Sequence, residues 1–150
     1  MAVTMGGEVA LQASREVVWA RLNDAETLKA AIPGCQELEK VGDTAFRATV
    51  KLKVGPVGAV FKGAVELTDM DPPNGYRIVG QGEGGVAGFA KGGARVSLHD
   101  APGSADECIL RYEVEADVGG KIAQLGSRLI KGVASKTAEQ FFTNFAAAIR

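Results

Sequence analysis

The C-terminal segment of the chain constrains the fold most strongly. From Gly119 to Arg150 it contains no proline, and apolar residues recur at steps of three and four. These residues are Ile122, Leu125, Leu129, Val133, Phe141, Phe145 and Ile149, with Thr137 in the one gap. The spacing predicts one helix of about 29 residues, roughly 43 Å long at about 1.5 Å per residue. Such a helix must bury its apolar stripe against the rest of the molecule.

Residues 44–118 show instead the period of two that is typical of strands. The alternation is clearest over Phe46–Val54, where the intervening side chains are Arg47, Thr49, Lys51 and Lys53. Further strands are predicted over Phe61–Leu67, Tyr76–Gly84, Phe89–His99 and Cys108–Ala116. Short turns between them favour antiparallel pairing.

The N-terminal part of the chain predicts a strand followed by two short helices. Val9–Ala13 alternates as a strand, and Ser14 and Asp24 are suitable N-caps for the helices. Pro33-Gly34 then ends the second helix. The predicted order is one strand, two short helices, six strands and a long helix, in a single α+β domain spanning residues 1–150.

Glycine is unusually abundant, with 20 residues. The cluster Gly80–Gly93 predicts a strongly bent hairpin, because strand glycines mark bends and close backbone approach, so the sheet should be cupped. Gly126 and Gly132 lie inside the predicted long helix, where each costs about 1 kcal/mol relative to alanine. They indicate either close packing of helix on sheet or room for a ligand under Leu125–Val133.

Composition excludes several classes of function. Seventeen basic and 18 acidic residues give a net charge of -1, which argues against an electrostatic nucleic-acid binder. Cys35 and Cys108 are too few for a metal cage, and a disulfide between them stays an open alternative to two free thiols. No signal pattern and no long apolar run are present, so we expect a cytoplasmic protein.

Motifs for catalysis are absent or misleading. His99 is the only histidine and adjoins Asp100 at a predicted strand end, so we expect it to be solvated. Gly80, Gly82 and Gly85 match a dinucleotide-binding spacing, but no helix is predicted to follow them, and such a site needs one. We therefore predict no catalytic residues and no metal site.

Several segments together resemble a known family. They are Asn23-Asp24, Ala31–Cys35, Lys53–Val57, Phe61–Gly63, Asp71–Pro73, Ala87–Gly92 and Gly119–Ile130. The set is similar to the helix-grip fold of the START/SRPBCC superfamily and, within it, to the CoxG family of carbon monoxide dehydrogenase subunits. The resemblance implies a curved antiparallel sheet of about seven strands wrapped around the C-terminal helix.

The resemblance also implies a function. Relatives are accessory proteins of carbon monoxide dehydrogenase-type molybdenum hydroxylases, linked to membrane recruitment and to a hydrophobic pocket suited to a quinone or other lipid-like molecule. No other cofactor is expected. Many relatives continue into a membrane-seeking tail, whereas this sequence ends at Arg150, so peripheral attachment to the inner face of the membrane is the less favoured location.

The lining of the pocket is predicted from alternation, because the family has no fixed motif there. The predicted ligand-binding residues are Ile32, Val50, Val65, Ile78, Phe89, Val96, Tyr112, Leu125, Leu129 and Val133. Tyr112 is the predicted polar anchor, since a buried hydroxyl needs a partner.

Two alternatives remain beside a non-enzymatic carrier. A polyketide cyclase-like or hydrolase-like enzyme could use the same cavity, with Tyr112 or Arg95 supplying acid–base chemistry. A docking module with a solid core could instead use the stripe of Arg47, Lys51 and Lys53, the glycine-rich bend or the exposed face of the long helix.

Overall fold

A computed structural model describes residues 1–149. The strands are β1 (Ala2–Leu11), β2 (Cys35–Lys40), β3 (Ala45–Val54), β4 (Val57–Asp71), β5 (Gly75–Glu83), β6 (Phe89–Ala101) and β7 (Ser104–Gly119). The helices are α1 (Arg15–Leu22), α2 (Ala25–Ala31) and α3 (Ser127–Ala148), with 3₁₀ turns at Gly85–Ala87 and Lys121–Leu125. The seven strands form one antiparallel sheet in the order β1-β7-β6-β5-β4-β3-β2. The predicted fold class is confirmed, and so is the order of one strand, two short helices, six strands and a long helix, although the sequence located only five of those six strands.

Two strand boundaries differ from the prediction. β1 begins at Ala2 and ends at Leu11, so Ala13 lies beyond it. β2 falls in a segment predicted to be a loop, because it is an edge strand whose side chains are mostly in solvent. Such a strand pairs on one side only and does not need the alternation that marks a half-buried strand.

The two short helices begin as predicted. The Ser14 hydroxyl accepts a hydrogen bond from the backbone N–H of Val17, and the Asp24 carboxylate accepts one from the N–H of Thr27. Each bond satisfies an amide that has no partner in the first helical turn.

The prediction of one helix from Gly119 to Arg150 is wrong in its first part. Gly126 adopts φ +91°, in the left-handed region, and separates the 3₁₀ turn Lys121–Leu125 from α3. α3 has 22 residues, about 33 Å at 1.5 Å per residue. Gly126 is therefore the N-cap of α3, and Gly132 alone lies inside it. Arg150 lies outside the described residues.

The sheet is cupped where the glycine cluster was predicted to bend it. A Cβ on Gly92 would overlap the carbonyl oxygen of Glu115, and one on Gly93 would lie 2.6 Å from the carbonyl oxygen of Ile78. Only glycine lets β6 approach both neighbouring strands this closely.

The core consists of two separate clusters. Cluster 1 is built on the buried residues Leu11, Val18, Leu22, Ala31, Phe46, Leu67, Tyr76, Val96, Leu98, Cys108, Leu110 and Phe145. Cluster 2 is built on Val3, Val54, Ala87, Val118 and Ile122, at the end of the sheet where the β3–β4 and β5–β6 turns lie. Helices α1 and α2 and the second half of α3 cover cluster 1.

Candidate functional site on the inner face of the sheet

The sheet register shows which side chains share the face that is covered by α3. Directly opposed residues of antiparallel strands point to the same side. One row across the sheet runs Phe46, Val65, Gly80, Gly92, Ala116 and Val3. Because Phe46 lies in cluster 1 and Val3 in cluster 2, the whole row belongs to the inner face.

The middle of this face forms what we call the inner hollow: Met5, Val65, Gly80, Ala94, Val114 and Ala116. None of these six residues belongs to either core cluster. Val65 is 37% exposed, whereas its cross-strand neighbour Phe46 is 3% exposed. Most of the floor is glycine, alanine or valine, so its side chains leave the space above the sheet unfilled.

Helix α3 is buried most deeply in its second half. It packs mainly against α2 and β1, and the central strands β4, β5 and β6 are not among its principal partners. Phe145, near its C-terminal end, is completely buried, and it is the only buried residue of the helix. The first half of α3 therefore spans the cupped sheet without closing onto its centre.

The predicted lining residues do not all meet at the inner hollow. Val65 lies in it, and Ile78 and Tyr112 border it from cluster 1, whereas Val96 is buried within that cluster. Two further predicted lining residues, Ile32 and Val50, are half-buried and lie towards the β2 edge of the sheet. Ile32 directly follows α2, and Val50 pairs with Cys35 of β2.

The prediction that Phe89 faces the cavity is wrong. It opposes Gly119 and Glu83 across the sheet, and its neighbour Ala90 packs into cluster 2, so the Phe89 side chain lies on the outer face. There its exposed ring covers Gly119, where a Cβ would overlap the ring carbons. The inner residues of β6 include Ala90 and Val96, so regular alternation along this strand by itself places Phe89 on the outer face, and the prediction did not extend that alternation to the start of β6.

Leu125, Leu129 and Val133 lie together but not at the centre of the hollow. They share a groove of about 570 Å³ along α3 with Arg128, Gly132 and Lys136. Leu129 reaches the β3–β4 turn, where its Cδ2 lies 2.9 Å from the Cβ position of Gly55. Steps of four drift around a helix by about 40° each, so the stripe turns from cluster 2, against which Val133 packs, to cluster 1, in which Phe145 is buried.

Tyr112 is a polar residue on the inner face, at the border of the hollow. Its ring lies 5.3 Å from that of Phe142 on α3, at an interplanar angle of 32°. Its hydroxyl lies 2.7 Å from the Cβ position of Gly7, so this side chain occupies the space that a larger residue on β1 would need. No hydrogen bond joins this hydroxyl to the described residues, which leaves it free to bind a ligand. Tyr76, on the same cross-strand row, is buried against Trp19, and burial raises the pKa of its phenol.

A depression of about 1320 Å³ is lined mainly by residues of the outer face of the sheet and was not predicted. Its lining includes no residue of α3, and its charged side chains all point to the outer face: Arg47, Glu66, Arg77, Lys91, Arg95, Glu113, Glu115 and Asp117. The residues of the inner hollow also border it, because a sheet is a single layer whose backbone is shared by both faces. Since charged residues of both signs line this wide, open trough, we do not identify it with the predicted apolar pocket.

The chain has one histidine and two cysteines, which are side chains common in catalytic and metal sites. His99 is exposed, and its Nε2 lies 2.9 Å from the hydroxyl of Ser97. Cys35 and Cys108 are free thiols whose pKa values are raised by burial. Within residues 1–149, no three His, Cys, Asp or Glu side chains come together as a metal site. No helix in that range has the length and apolar character that crossing a membrane requires.

Solved structures of similar proteins share this architecture. A conserved protein from Geobacillus kaustophilus is 31% identical, with a TM-score of 0.89 over 98% of this chain and 95% of its own. A START superfamily protein from Mycobacterium smegmatis is 15% identical, with a TM-score of 0.73 over 97% and 96% of the two chains. The Zhui aromatase/cyclase from Streptomyces sp. R1128 is 12% identical, with a TM-score of 0.69 over 99% and 94%. The last two likenesses concern the fold alone.

The sequence comparison agrees with the structural one. No curated protein matches the chain. The family of the carbon monoxide dehydrogenase CoxG subunit matches residues 7–150, nearly the whole sequence. The chain therefore belongs to the CoxG family of carbon monoxide dehydrogenase subunits, on a START/SRPBCC-like fold.

Proposed function

We propose that this protein is a non-enzymatic carrier that binds an apolar, quinone-like or lipid-like molecule between the sheet and α3. The observation that carries the proposal is the inner hollow. Its residues face the interior yet join neither core cluster, and Val65 among them keeps 37% of its surface exposed. Apolar side chains left open on an interior face are typical of a ligand site.

The free energy available from such a site suits a lipophilic ligand. Burying about 200 Å² of apolar ligand surface contributes roughly 5 kcal/mol at about 25 cal/mol/Å², before the cost of association. A ligand with a long apolar part could therefore bind with few polar contacts. Selectivity would then depend on where its polar end finds a partner.

Tyr112 is the group that we expect to hold that polar end. Its hydroxyl is not used by the described residues, and its ring is held between β1 and Phe142. A phenol donates to a carbonyl oxygen, and a quinone or a carboxylic acid offers such an oxygen. Tyr112→Phe should weaken binding of a quinone about tenfold, the loss of one hydrogen bond, and leave binding of a plain hydrocarbon chain unchanged.

The family supports an accessory role rather than turnover. We propose that the physiological partner is a molybdenum hydroxylase of the carbon monoxide dehydrogenase type, to or from which the carrier passes its ligand. Membership of the CoxG family is what supports this partner. Co-purification with the enzyme of the same host tests it.

Isothermal titration with decylubiquinone and with a long-chain fatty acid tests ligand binding. Val65→Trp should fill the inner hollow and abolish binding. Val79→Trp is the matched control, because Val79 is 45% exposed on the next strand but lies on the outer face opposite Glu66. If both variants and the unmodified protein bound the ligand with the same heat, the ligand would lie outside the hollow. If none of the three proteins bound it, the carrier function would be refuted.

A further inference from the structure

The β4–β5 turn contains an asparagine–glycine dipeptide that lies outside the proposed ligand site. Asn74 is exposed in this turn, and Gly75 is the first residue of β5. Asn23 and Asn144 are the other two asparagines of the chain, and neither is followed by glycine. Glycine has no Cβ, so no side chain shields its backbone nitrogen from the preceding residue. Asn74 is therefore the asparagine best suited to react with its own backbone.

Arg15, at the start of α1, holds the side chain of Asn74 by its carbonyl oxygen. The Nη1 of Arg15 donates a hydrogen bond to Oδ1 of Asn74, and its Nε donates one of 2.8 Å to Oδ1 of Asp100. Only 25% of the Arg15 side chain is exposed, so solvent weakens these contacts less than on an open surface. A guanidinium in contact with an amide oxygen stabilises negative charge that develops there. The position of Arg15 therefore favours attack at Cγ of Asn74.

The side-chain nitrogen of Asn74 is held less firmly than those of the other two asparagines. Its hydrogen bond to Oδ2 of Asp71 is 3.3 Å long, beyond the usual range for a bond from N–H to oxygen. The Nδ2 atoms of Asn23 and Asn144 donate shorter bonds, of 2.9 and 3.1 Å, to backbone carbonyl oxygens. Both of those residues are half-buried. Loss of the side-chain nitrogen is thus least hindered at Asn74.

We propose that Asn74 deamidates spontaneously and that Arg15 promotes the reaction. The backbone nitrogen of Gly75 attacks Cγ of Asn74 and forms a cyclic imide. The bond from Cγ to Nδ2 breaks, and the nitrogen leaves as ammonia with the proton lost by the Gly75 amide. Water then opens the imide at one of its two carbonyl carbons, which gives aspartate or isoaspartate in place of Asn74.

The modification changes the charge at a contact between three parts of the fold. Arg15 joins the start of α1 to the β4–β5 turn and to the end of β6. A carboxylate in place of the Asn74 amide lacks the N–H that donates to Asp71, and it faces the Asp71 carboxylate instead. Because two carboxylates at this distance repel each other, the turn loosens on the Asp71 side and keeps its contact with Arg15.

Prolonged incubation of the full chain at mildly alkaline pH, followed by peptide mass spectrometry, tests the proposal. The peptide that contains Asn74 should gain the mass difference between an amide and an acid, and should yield both aspartate and isoaspartate. Asn74→Asp supplies the standard for the aspartate product. The peptides that contain Asn23 and Asn144 are the internal controls and should stay unchanged. If the three sites reacted at the same rate, or if Asn74 did not react, the proposal would be wrong.

The contribution of Arg15 is tested with Arg15→Gln. This variant should deamidate about tenfold more slowly at Asn74, the loss of one hydrogen bond from a charged group. Arg21→Gln, in the last turn of α1, is the matched control and should react like the parent protein. In guanidinium chloride all three proteins should react at one rate, because the contact between Arg15 and Asn74 requires the folded chain. An equal or faster reaction of folded Arg15→Gln would show that Arg15 does not promote it. No ligand takes part, so the result is independent of the carrier function.

Discussion

The Nδ2 of Asn144 donates a hydrogen bond of 3.1 Å to the carbonyl oxygen of Ala31, the last residue of α2. Carbonyl groups at a helix C-terminus lack a partner within the helix, so this bond satisfies one of them. It also fixes the second half of α3 to α2, close to the fully buried Phe145. The arrangement holds the second half of α3 firmly, whereas the first half is covered less, with Leu129 still 39% exposed.

Removing this bond should destabilise the protein. Asn144→Leu leaves the Ala31 carbonyl without its partner in a half-buried position, at a cost of about 1–3 kcal/mol. Urea unfolding followed by circular dichroism measures the change. Gln140→Leu, at an exposed position on the same helix, is the control and should stay within about 0.5 kcal/mol of the parent protein.

Replacing a large apolar side chain by alanine should destabilise the protein more in the second half of α3 than in the first half. Phe145→Ala removes a ring that is 0% exposed in cluster 1 and should cost about 3–5 kcal/mol of unfolding free energy. Leu129→Ala, at an exposed position over the β3–β4 turn, should cost about 1 kcal/mol or less. Chemical denaturation compares them, and similar losses would mean that the first half of the helix is packed as tightly as the second.

Substituting alanine for either of two glycines near the start of α3 should change the stability of the protein, with opposite sign at the two positions. Gly126→Ala should destabilise the protein by about 1 kcal/mol or more, because φ +91° is unfavourable for a residue with a Cβ. Gly132→Ala should stabilise it by up to about 1 kcal/mol, since Gly132 lies inside the helix with no atom within 4 Å of the added Cβ. The thermal midpoints of the two variants test this prediction. If Gly126→Ala stabilised the protein, Gly126 would not separate the 3₁₀ turn from α3 with a left-handed backbone.

The two N-caps should differ in their pH dependence. Hydrogen bonds from the Thr27 hydroxyl and amide lower the pKa of Asp24 below its ordinary value of 3.8. The stabilisation is therefore present above pH 3.8 and is lost as pH falls through the lowered pKa. Asp24→Ala should cost about 1 kcal/mol near neutral pH and less below pH 3.8.

Ser14→Ala is the control for this titration, because a hydroxyl cap does not ionise in the same range. Its cost should be the same at both pH values. Unfolding free energies of the two variants, measured at neutral and at acid pH, compare them. If the loss of unfolding free energy caused by Asp24→Ala were as large at acid pH as at neutral pH, the carboxylate charge would not contribute to the cap.

Local sequence determined much of this fold. The alternation around Phe46–Val54 and the caps at Ser14 and Asp24 depend on neighbouring residues, so their structure follows from spacing and hydrogen-bonding capacity. The family resemblance, carried by segments along most of the chain, supplied the helix-grip arrangement. Two local features were still missed, because β2 has too little apolar alternation and Gly126 resembles any helical glycine in a periodic stripe.

Only the tertiary structure decided where the unfilled space lies. Alternation gives the two faces of each strand, but packing decides which inner residues are covered, so Val96 enters the core while Val65 stays open. The stripe of α3 likewise drifts around the helix, so Phe145 is fully buried while Leu129 stays 39% exposed over the β3–β4 turn. Cavities arise from the gap between elements that are distant in sequence, and that gap has no local pattern in the chain.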